Sequence, residues 1–101
     1  MNSVVVLYGE PTDPAAFESY YRETHAPLAA KVPGLRQYTH GRCSALEGAP
    51  VHHYFARLVF DTADDRAAAL GSAEMGAAVQ DVPNFASGGA SIVLVDEESA
   101  L

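Results

Sequence analysis

Three short segments of this sequence are apolar on both sides of an extended chain, and this property restricts the fold more than any other. They are Val4–Leu7, the stretch Tyr54–Phe60 with Arg57 as its one charged residue, and Ile92–Val95. Their β-branched and aromatic residues favour strands. A sheet with one face in water would alternate apolar and polar side chains along each strand. The sequence therefore predicts a sheet that is covered on both faces.

A helix follows the first of these segments, and its start and end carry recognisable signals. Asp13 is predicted to cap it and Pro14 to open its first turn, where a missing amide does no harm. Pro27 cannot donate a backbone hydrogen bond and crowds the preceding turn, so we expect the helix to kink or stop near His25. Gly34 can adopt the left-handed conformation that closes a helix.

A second helical region begins at Thr62, which has capping-box spacing to Asp65, with Asp in place of the usual Glu. Ser72 can cap a continuation that reaches about Val82. The predicted strands are Val4–Tyr8, Leu35–Cys43, His52–Phe60 and Ala90–Val95. The order βαββαβ predicts a ferredoxin-like α+β fold with a four-stranded antiparallel sheet, in one domain that spans residues 1–101.

The two helical regions can cover only one face of such a sheet. The apolar segments leave neither face polar, and nothing else in the chain is available to cover the second one. We therefore expect a homodimer in which two copies pack sheet against sheet. A monomeric sandwich with an unusually apolar surface is the less favoured alternative.

Charge and cysteine content exclude several classes of partner. The net charge is −7 and only six residues are Lys or Arg, which argues against binding to nucleic acid or to an anionic membrane. The apolar run near the N-terminus is too short for a membrane span or a signal peptide. Cys43 is the only cysteine, which is consistent with a cytoplasmic protein. No metal-ligand spacing is present, and Ser87-Gly88-Gly89 matches no phosphate-binding loop, so we expect neither a metal nor a cofactor.

His25 is the strongest candidate for chemistry on residue type alone. Its ordinary pKa of about 6.5 allows it to accept and donate a proton near neutral pH. It follows Tyr21 by four residues and therefore shares a helix face with it. The alternative is an imidazole buried in packing and bonded to a carbonyl freed at the kink. Tyr21 and Tyr38 can each bind a substrate oxygen through the phenol or simply fill the core.

The segment Phe17–Tyr38 reads F-x-x-Y-Y-R-E-T-H-A-P-L-A-x-K-V-P-G-L-x-x-Y and resembles the EthD family of dimeric α+β barrel proteins. The similarity continues through L-V-F-D-T at residues 58–62. It implies a ferredoxin-like dimer with a cleft between helices and sheet near the motif histidine. The resemblance also implies that His25 and Tyr38 are the catalytic residues, since they match the family positions that face this cleft.

We assign four further residues to substrate binding. Tyr21 lies on the His25 face, and His40 lies two residues after Tyr38, on the same side of the second strand. A solvent-exposed strand end is an equally good interpretation of His40. Phe55 and Arg57 belong to the third strand. Many EthD proteins carry an acidic residue where this chain has Arg57, a change that would favour an anionic substrate.

Members of the family that it resembles include lactone isomerases, polyketide-type cyclases and decarboxylases, and an accessory protein of ether degradation. The leading hypothesis is a cofactor-independent acid–base enzyme of the isomerase, cyclase or decarboxylase (lyase) type that acts on a small oxygenated or aromatic metabolite. One alternative is a non-catalytic accessory protein that binds a small molecule in a degradative or biosynthetic pathway. Another is a cofactorless monooxygenase. The fold by itself does not decide among them.

Overall fold

A four-stranded antiparallel sheet with the strand order β2-β3-β1-β4 forms the framework of the computed structural model, which describes residues 1–101. The strands are β1 (Asn2–Tyr8), β2 (Gln37–Arg42), β3 (Tyr54–Phe60) and β4 (Ala90–Asp96). The helices are α1 (Pro14–Tyr20), α2 (Ala26–Ala29), α3 (Ala63–Leu70) and α4 (Ala73–Asp81), with a π-helical turn at Tyr21–His25 and a 3₁₀ turn at Val82–Asn84. This is the predicted ferredoxin-like α+β fold, and that prediction is confirmed.

Side chains cap the helices where the sequence indicates. The Asp13 carboxylate accepts a hydrogen bond from the Ala16 amide at 3.1 Å, and the Thr62 hydroxyl accepts one from the Asp65 amide at 3.0 Å. Ser72 does the same for the Met75 amide at 3.1 Å. Each cap satisfies an amide that has no partner inside its helix. The three predicted helix starts are therefore correct.

The first helix is disrupted near His25, as predicted, but it does not stop there. Instead the chain widens into the π-helical turn, in which the Ala26 amide donates to the Tyr21 carbonyl, and then continues as α2. In a regular α-helix the ring of Pro27 would collide with the carbonyl four residues earlier, at Glu23. A π turn at this point accommodates the proline without ending the helix. The helix closes beyond α2, and Gly34 has the expected left-handed conformation with φ of 80°.

The helices all lie on one face of the sheet. Val4, Val6 and Tyr8 of β1 point to this side, together with Ala56 and Leu58 of β3, and they form one buried cluster with residues of the helices. The opposite face carries the other half of each strand, because side chains alternate along a strand. No helix of the structure has the length and apolarity needed to cross a membrane.

Edge strand β4 exposes more apolar surface than any other strand. Ile92, Val93 and Leu94 are 52%, 45% and 51% exposed, although they are consecutive and therefore point to both faces. The chain thus leaves apolar side chains uncovered along β4 on both sides of the sheet.

Candidate functional site

An apolar cavity of about 140 Å³ lies between the helix-covered face of the sheet and the helices. Every side chain that lines it is aliphatic, aromatic or methionine, with one exception, His25. The π-helical turn and α4 form one side, and β1, β2 and β3 form the other. The histidine that the sequence singles out is therefore the one ionisable group of this lining with an ordinary pKa near neutral pH.

His25 is 4% exposed, and its two ring nitrogens have different surroundings. Nδ1 lies 2.9 Å from Oδ2 of Asp81, whereas Nε2 makes no hydrogen bond to the protein. The ring packs between Tyr21 and Phe85, with centroid distances of 5.0 and 4.6 Å. An ionised carboxylate can only accept, so Nδ1 carries the proton. Nε2 is left with a lone pair that no protein group uses, on a residue that lines the cavity.

Asp81 is the functional residue that sequence reasoning missed. Its carboxylate accepts hydrogen bonds from the Tyr20 hydroxyl at 2.6 Å and the Asn84 amide at 3.0 Å, in addition to His25. Burial alone would raise the pKa of Asp81, but these hydrogen bonds outweigh it and hold the pKa below its ordinary value of 3.8. Asp81 therefore remains ionised at neutral pH and holds the imidazole in place.

Burial has the opposite effect on the imidazole. It lowers the pKa of His25 below its ordinary value of 6.5, and the neighbouring Asp81 carboxylate only partly offsets this. His25 is consequently neutral at pH 7. A neutral imidazole with one nitrogen bound to a carboxylate and the other open to a cavity is the arrangement that a general base requires.

Tyr21 and Tyr38 line the same cavity, and their hydroxyl oxygens lie 2.7 Å apart in a hydrogen bond. Burial raises the pKa of both phenols, so both keep their protons at neutral pH. In a bonded pair of hydroxyls one proton is used within the pair, and the other is free for a further acceptor. The structure thus places a hydrogen-bond donor and the His25 acceptor around one cavity.

His40 shares the strand face of Tyr38 but lies outside the cavity lining. Its Nδ1 is 2.7 Å from the Tyr54 hydroxyl, and its ring centroid is 4.9 Å from that of Tyr21. The ring is also solvent-exposed. The structure therefore places His40 behind Tyr21, at the outer edge of the aromatic cluster, rather than against the space that a ligand would occupy.

The structure does not bring Phe55 and Arg57, both predicted to bind substrate, to the cavity beside His25. Ala56 and Leu58 of β3 line the cavity, so the residues between them point to the opposite face of the sheet. Arg57 forms an ion pair there with Glu97, with Nη2–Oε1 and Nε–Oε2 distances of 2.5 and 3.0 Å. The sequence did not reveal this orientation because β3 is apolar on both faces. The expectation of an anionic substrate loses its basis.

Metal-binding side chains are not clustered. Nowhere in the structure do three or more His, Cys, Asp or Glu residues come together in a way that could hold a metal ion. Cys43 is a partly buried free thiol after β2.

The fold and the site define a ferredoxin-like α+β protein with a histidine-containing cavity under its helices. Residues 9–89 match the EthD domain. The chain therefore belongs to the EthD family, as its Phe17–Tyr38 segment indicates.

Comparison with individual proteins agrees with this membership. An 11.0 kDa protein from the thcB–thcC intergenic region of Rhodococcus erythropolis is 38% identical over 102 residues, which cover 100% of this chain and 99% of the relative. A crystal structure of an EthD family protein from Bacillus halodurans superposes with a TM-score of 0.90 at 28% identity, covering 97% of this chain and 99% of that one.

Two more distant structures share the fold alone. A protein from Thermobifida fusca, described as a dimeric ferredoxin-like protein, has a TM-score of 0.70 at 16% identity, with 93% of this chain and 88% of that chain covered. SnoaB from Streptomyces nogalater, described as a cofactor-independent oxygenase, has a TM-score of 0.65 at 22% identity, with 99% and 94% covered.

Proposed function

We propose that this protein is a cofactor-independent acid–base enzyme of the isomerase, cyclase or decarboxylase type, and that its substrate is a small oxygenated or aromatic metabolite. One observation carries the proposal. A neutral imidazole lines an apolar cavity, and Asp81 holds its Nδ1 at 2.9 Å while Nε2 has no protein partner.

In the proposed reaction, Nε2 of His25 removes a proton from a carbon next to a carbonyl group. The C–H electron pair forms a C=C bond, and the π electrons of the carbonyl group move onto its oxygen, so that the substrate becomes an enolate. The imidazolium that forms is stabilised by the Asp81 carboxylate, and the same Nε2–H returns the proton to another atom of the substrate. Atoms and electrons balance without a second reactant.

The tyrosine pair has a separate role in this scheme. The free proton of the Tyr21–Tyr38 pair donates to the oxygen on which negative charge develops. A hydrogen bond of this kind is most effective in an apolar, water-poor cavity, because the local dielectric constant is low. Tyr38 is accordingly the second catalytic residue, and Tyr21 binds substrate and positions Tyr38.

Hydrogen–deuterium exchange tests this proposal directly, because it reports removal of the proton whatever product forms. Acetophenone and a panel of cyclic ketones are incubated with the protein in D₂O, and loss of the proton signal next to the carbonyl is followed by NMR. General acid–base catalysis contributes about 10²–10⁴-fold, so His25→Ala should lose exchange by this factor while the fold is retained. His52→Ala, which alters a histidine outside the cavity, is the matched control. Equal exchange by wild type and His25→Ala would exclude the mechanism.

A non-catalytic binding protein is the second candidate, and the almost wholly apolar cavity lining favours it. In that case a ligand would be recovered unchanged and no exchange would occur. The fold shared with SnoaB keeps a cofactorless monooxygenase as a further candidate. That activity would consume oxygen in the presence of a hydroquinone, whereas proton transfer would not.

We also propose that the protein is a cytoplasmic homodimer. The helix-free face of the sheet, on which Val93 of β4 is 45% exposed, supports a second copy as the partner. The single free Cys43 is consistent with a reducing compartment. Sedimentation at micromolar concentration tests the assembly, and a monomer would contradict it.

A further inference from the structure

The size of the cavity limits what it can enclose. Its volume is about 140 Å³. An apolar protein cavity of about 150 Å³ is known to hold one benzene molecule. The cavity beside His25 therefore matches a single six-membered ring with small substituents.

The lining divides into an enclosed part and an open mouth. Tyr8, Tyr21 and Ala56 are each 1% exposed. At the other end Val79 and Ile92, also part of the lining, are 46% and 52% exposed. A ring can therefore enter past these two side chains with its reactive group toward His25, and any longer apolar substituent can extend outward between them.

No positive charge is available to a ligand in this cavity. Neither arginine nor lysine is among the lining residues. Four of the arginines are paired elsewhere: Arg36 with Asp61, Arg42 with Glu18, Arg57 with Glu97 and Arg66 with Asp96.

The one charged group near the base is the Asp81 carboxylate, directly behind the imidazole. A carboxylate ligand would give up its water, find no cation, and face a like charge across a neutral ring.

The polar atoms of the site instead match an uncharged group. Nε2 of His25 accepts a hydrogen bond, and the free phenol proton of the Tyr21–Tyr38 pair donates one. A neutral group with one donor and one acceptor satisfies both, whereas a carboxylate offers only acceptors and leaves Nε2 opposed by a lone pair.

We propose that this cavity selects neutral, monocyclic carbonyl compounds and excludes carboxylates of the same shape, an inference that rests on the proposed acid–base function and names its substrate class. This selectivity sets the decarboxylase type aside, because a decarboxylase acts on a carboxylate. The size limit depends on α4. Ala78 lines the cavity and is buried, while its neighbour Ala77 is exposed on the other side of the helix.

Benzamide and benzoate are the matched probes, because they share shape and size and differ in charge. Titration of the wild-type protein at pH 7.5 by NMR should give saturable binding of benzamide, with shifts at His25 and Tyr38. Benzoate should bind at least about 100-fold more weakly, since burial of an unpaired charge is costly. Equal or tighter binding of benzoate, or no binding of benzamide at 10 mM, which is about the weakest affinity expected of so small a ligand, would overturn the proposal.

Variants separate the size limit from a folding defect. Ala78→Leu should abolish benzamide binding, and Ala77→Leu should leave it unchanged. If Ala78→Leu does not fold, Ile92→Trp at the exposed mouth replaces it and should also reduce binding. Benzamide binding unaffected in the folded variant would contradict the assigned cavity.

The binding result is independent of turnover. Benzamide bound and benzoate excluded, with no exchange of the acetophenone protons, would leave the selectivity standing and remove the catalytic proposal. Exchange of the acetophenone protons together with tight benzoate binding would leave the catalytic proposal standing and remove the selectivity.

Discussion

Two buried histidines of this protein have carboxylates beside them, yet only one of them has the geometry of a base. His25 and His53 are 4% and 7% exposed. His25 is hydrogen-bonded to Asp81 at 2.9 Å, and its other edge lines a cavity. The two nitrogens of His53 each lie 3.5 Å from a carboxylate oxygen, and its Nε2 is buried without a hydrogen-bond partner. Burial beside an acid is therefore not sufficient to give a histidine the geometry of a base.

The two nearest carboxylates explain much of the difference. The oxygens of Glu18 both accept from Nη2 of Arg42, at 2.7 and 2.8 Å, and this pairing holds the pKa of Glu18 below its ordinary value. Asp81 has only neutral donors around it, including His25. An imidazolium at His25 would thus be paired with a carboxylate that has no other cation beside it. At His53 the carboxylate of Glu18 is already neutralised by a guanidinium.

The largest expected effect comes from replacing the carboxylate beside each histidine, which is Asp81 for His25 and Glu18 for His53. In Asp81→Asn the amide can donate to Nδ1, which moves the proton to Nε2 and removes the base. Exchange should fall by about 10²–10⁴-fold, because the general base is lost. Glu18→Gln is the matched control and should keep the activity of the folded protein. The measurement is kcat/KM for deuterium exchange, and equal losses in the two variants would erase the distinction between the two histidines.

The pH dependence of exchange should report the lowered pKa of His25. The base is active when neutral, so kcat/KM should stay level as pH falls to 6.5 and decline only below it, through the lowered pKa. The same shift affects stability. The unfolded chain binds the proton more readily, so this contribution is complete above about pH 6.5 and is lost as pH falls through the folded pKa. A rate profile with its midpoint above 6.5 would contradict the burial argument.

Unfolding in urea should separate the two histidines in the same order as activity. His25→Phe removes one donor from buried Asp81 and should cost about 1–3 kcal/mol. His53→Phe removes an unpartnered nitrogen and keeps an aromatic ring against Phe17, which contacts His53 edge-on at 5.4 Å. Its cost should be below about 1 kcal/mol, because replacing an unsatisfied polar atom by an apolar one is nearly neutral. A larger loss of unfolding free energy for His53→Phe would mean that the two neighbouring carboxylates stabilise the His53 ring more than distances of 3.5 Å indicate.

The smallest effect is expected on the far side of the sheet. Arg57→Met breaks the ion pair with Glu97, but its side chain lies on the face of the sheet opposite the cavity and is not part of the lining. Exchange and benzamide binding should be unchanged, and partly exposed ion pairs contribute little to stability. A loss of activity in a stable Arg57→Met protein would show that the helix-free face takes part in the site.

Much of the fold could be predicted because its signals are local. Asp13, Thr62 and Ser72 each cap a helix within three residues of themselves, and the strand segments show their character over six or seven residues. His25 could be selected from its residue type and its family motif. Asp81 could not, because it lies 56 residues away and stands in an ordinary helical sequence. Its place two residues before Pro83 and three residues before Asn84 is the only hint, and it does not point to His25.

The sequence by itself determined the order of strands and helices, the family and the histidine, since each depends on neighbouring residues or on a continuous motif. Tertiary structure alone decided which face of β3 meets the helices, and so separated Ala56 from Arg57. It also decided that the helix would widen at Pro27 rather than stop, and that Asp81 would hold the imidazole. The physical reason is that pleat orientation and helix packing minimise the free energy of the whole core, which no short segment encodes.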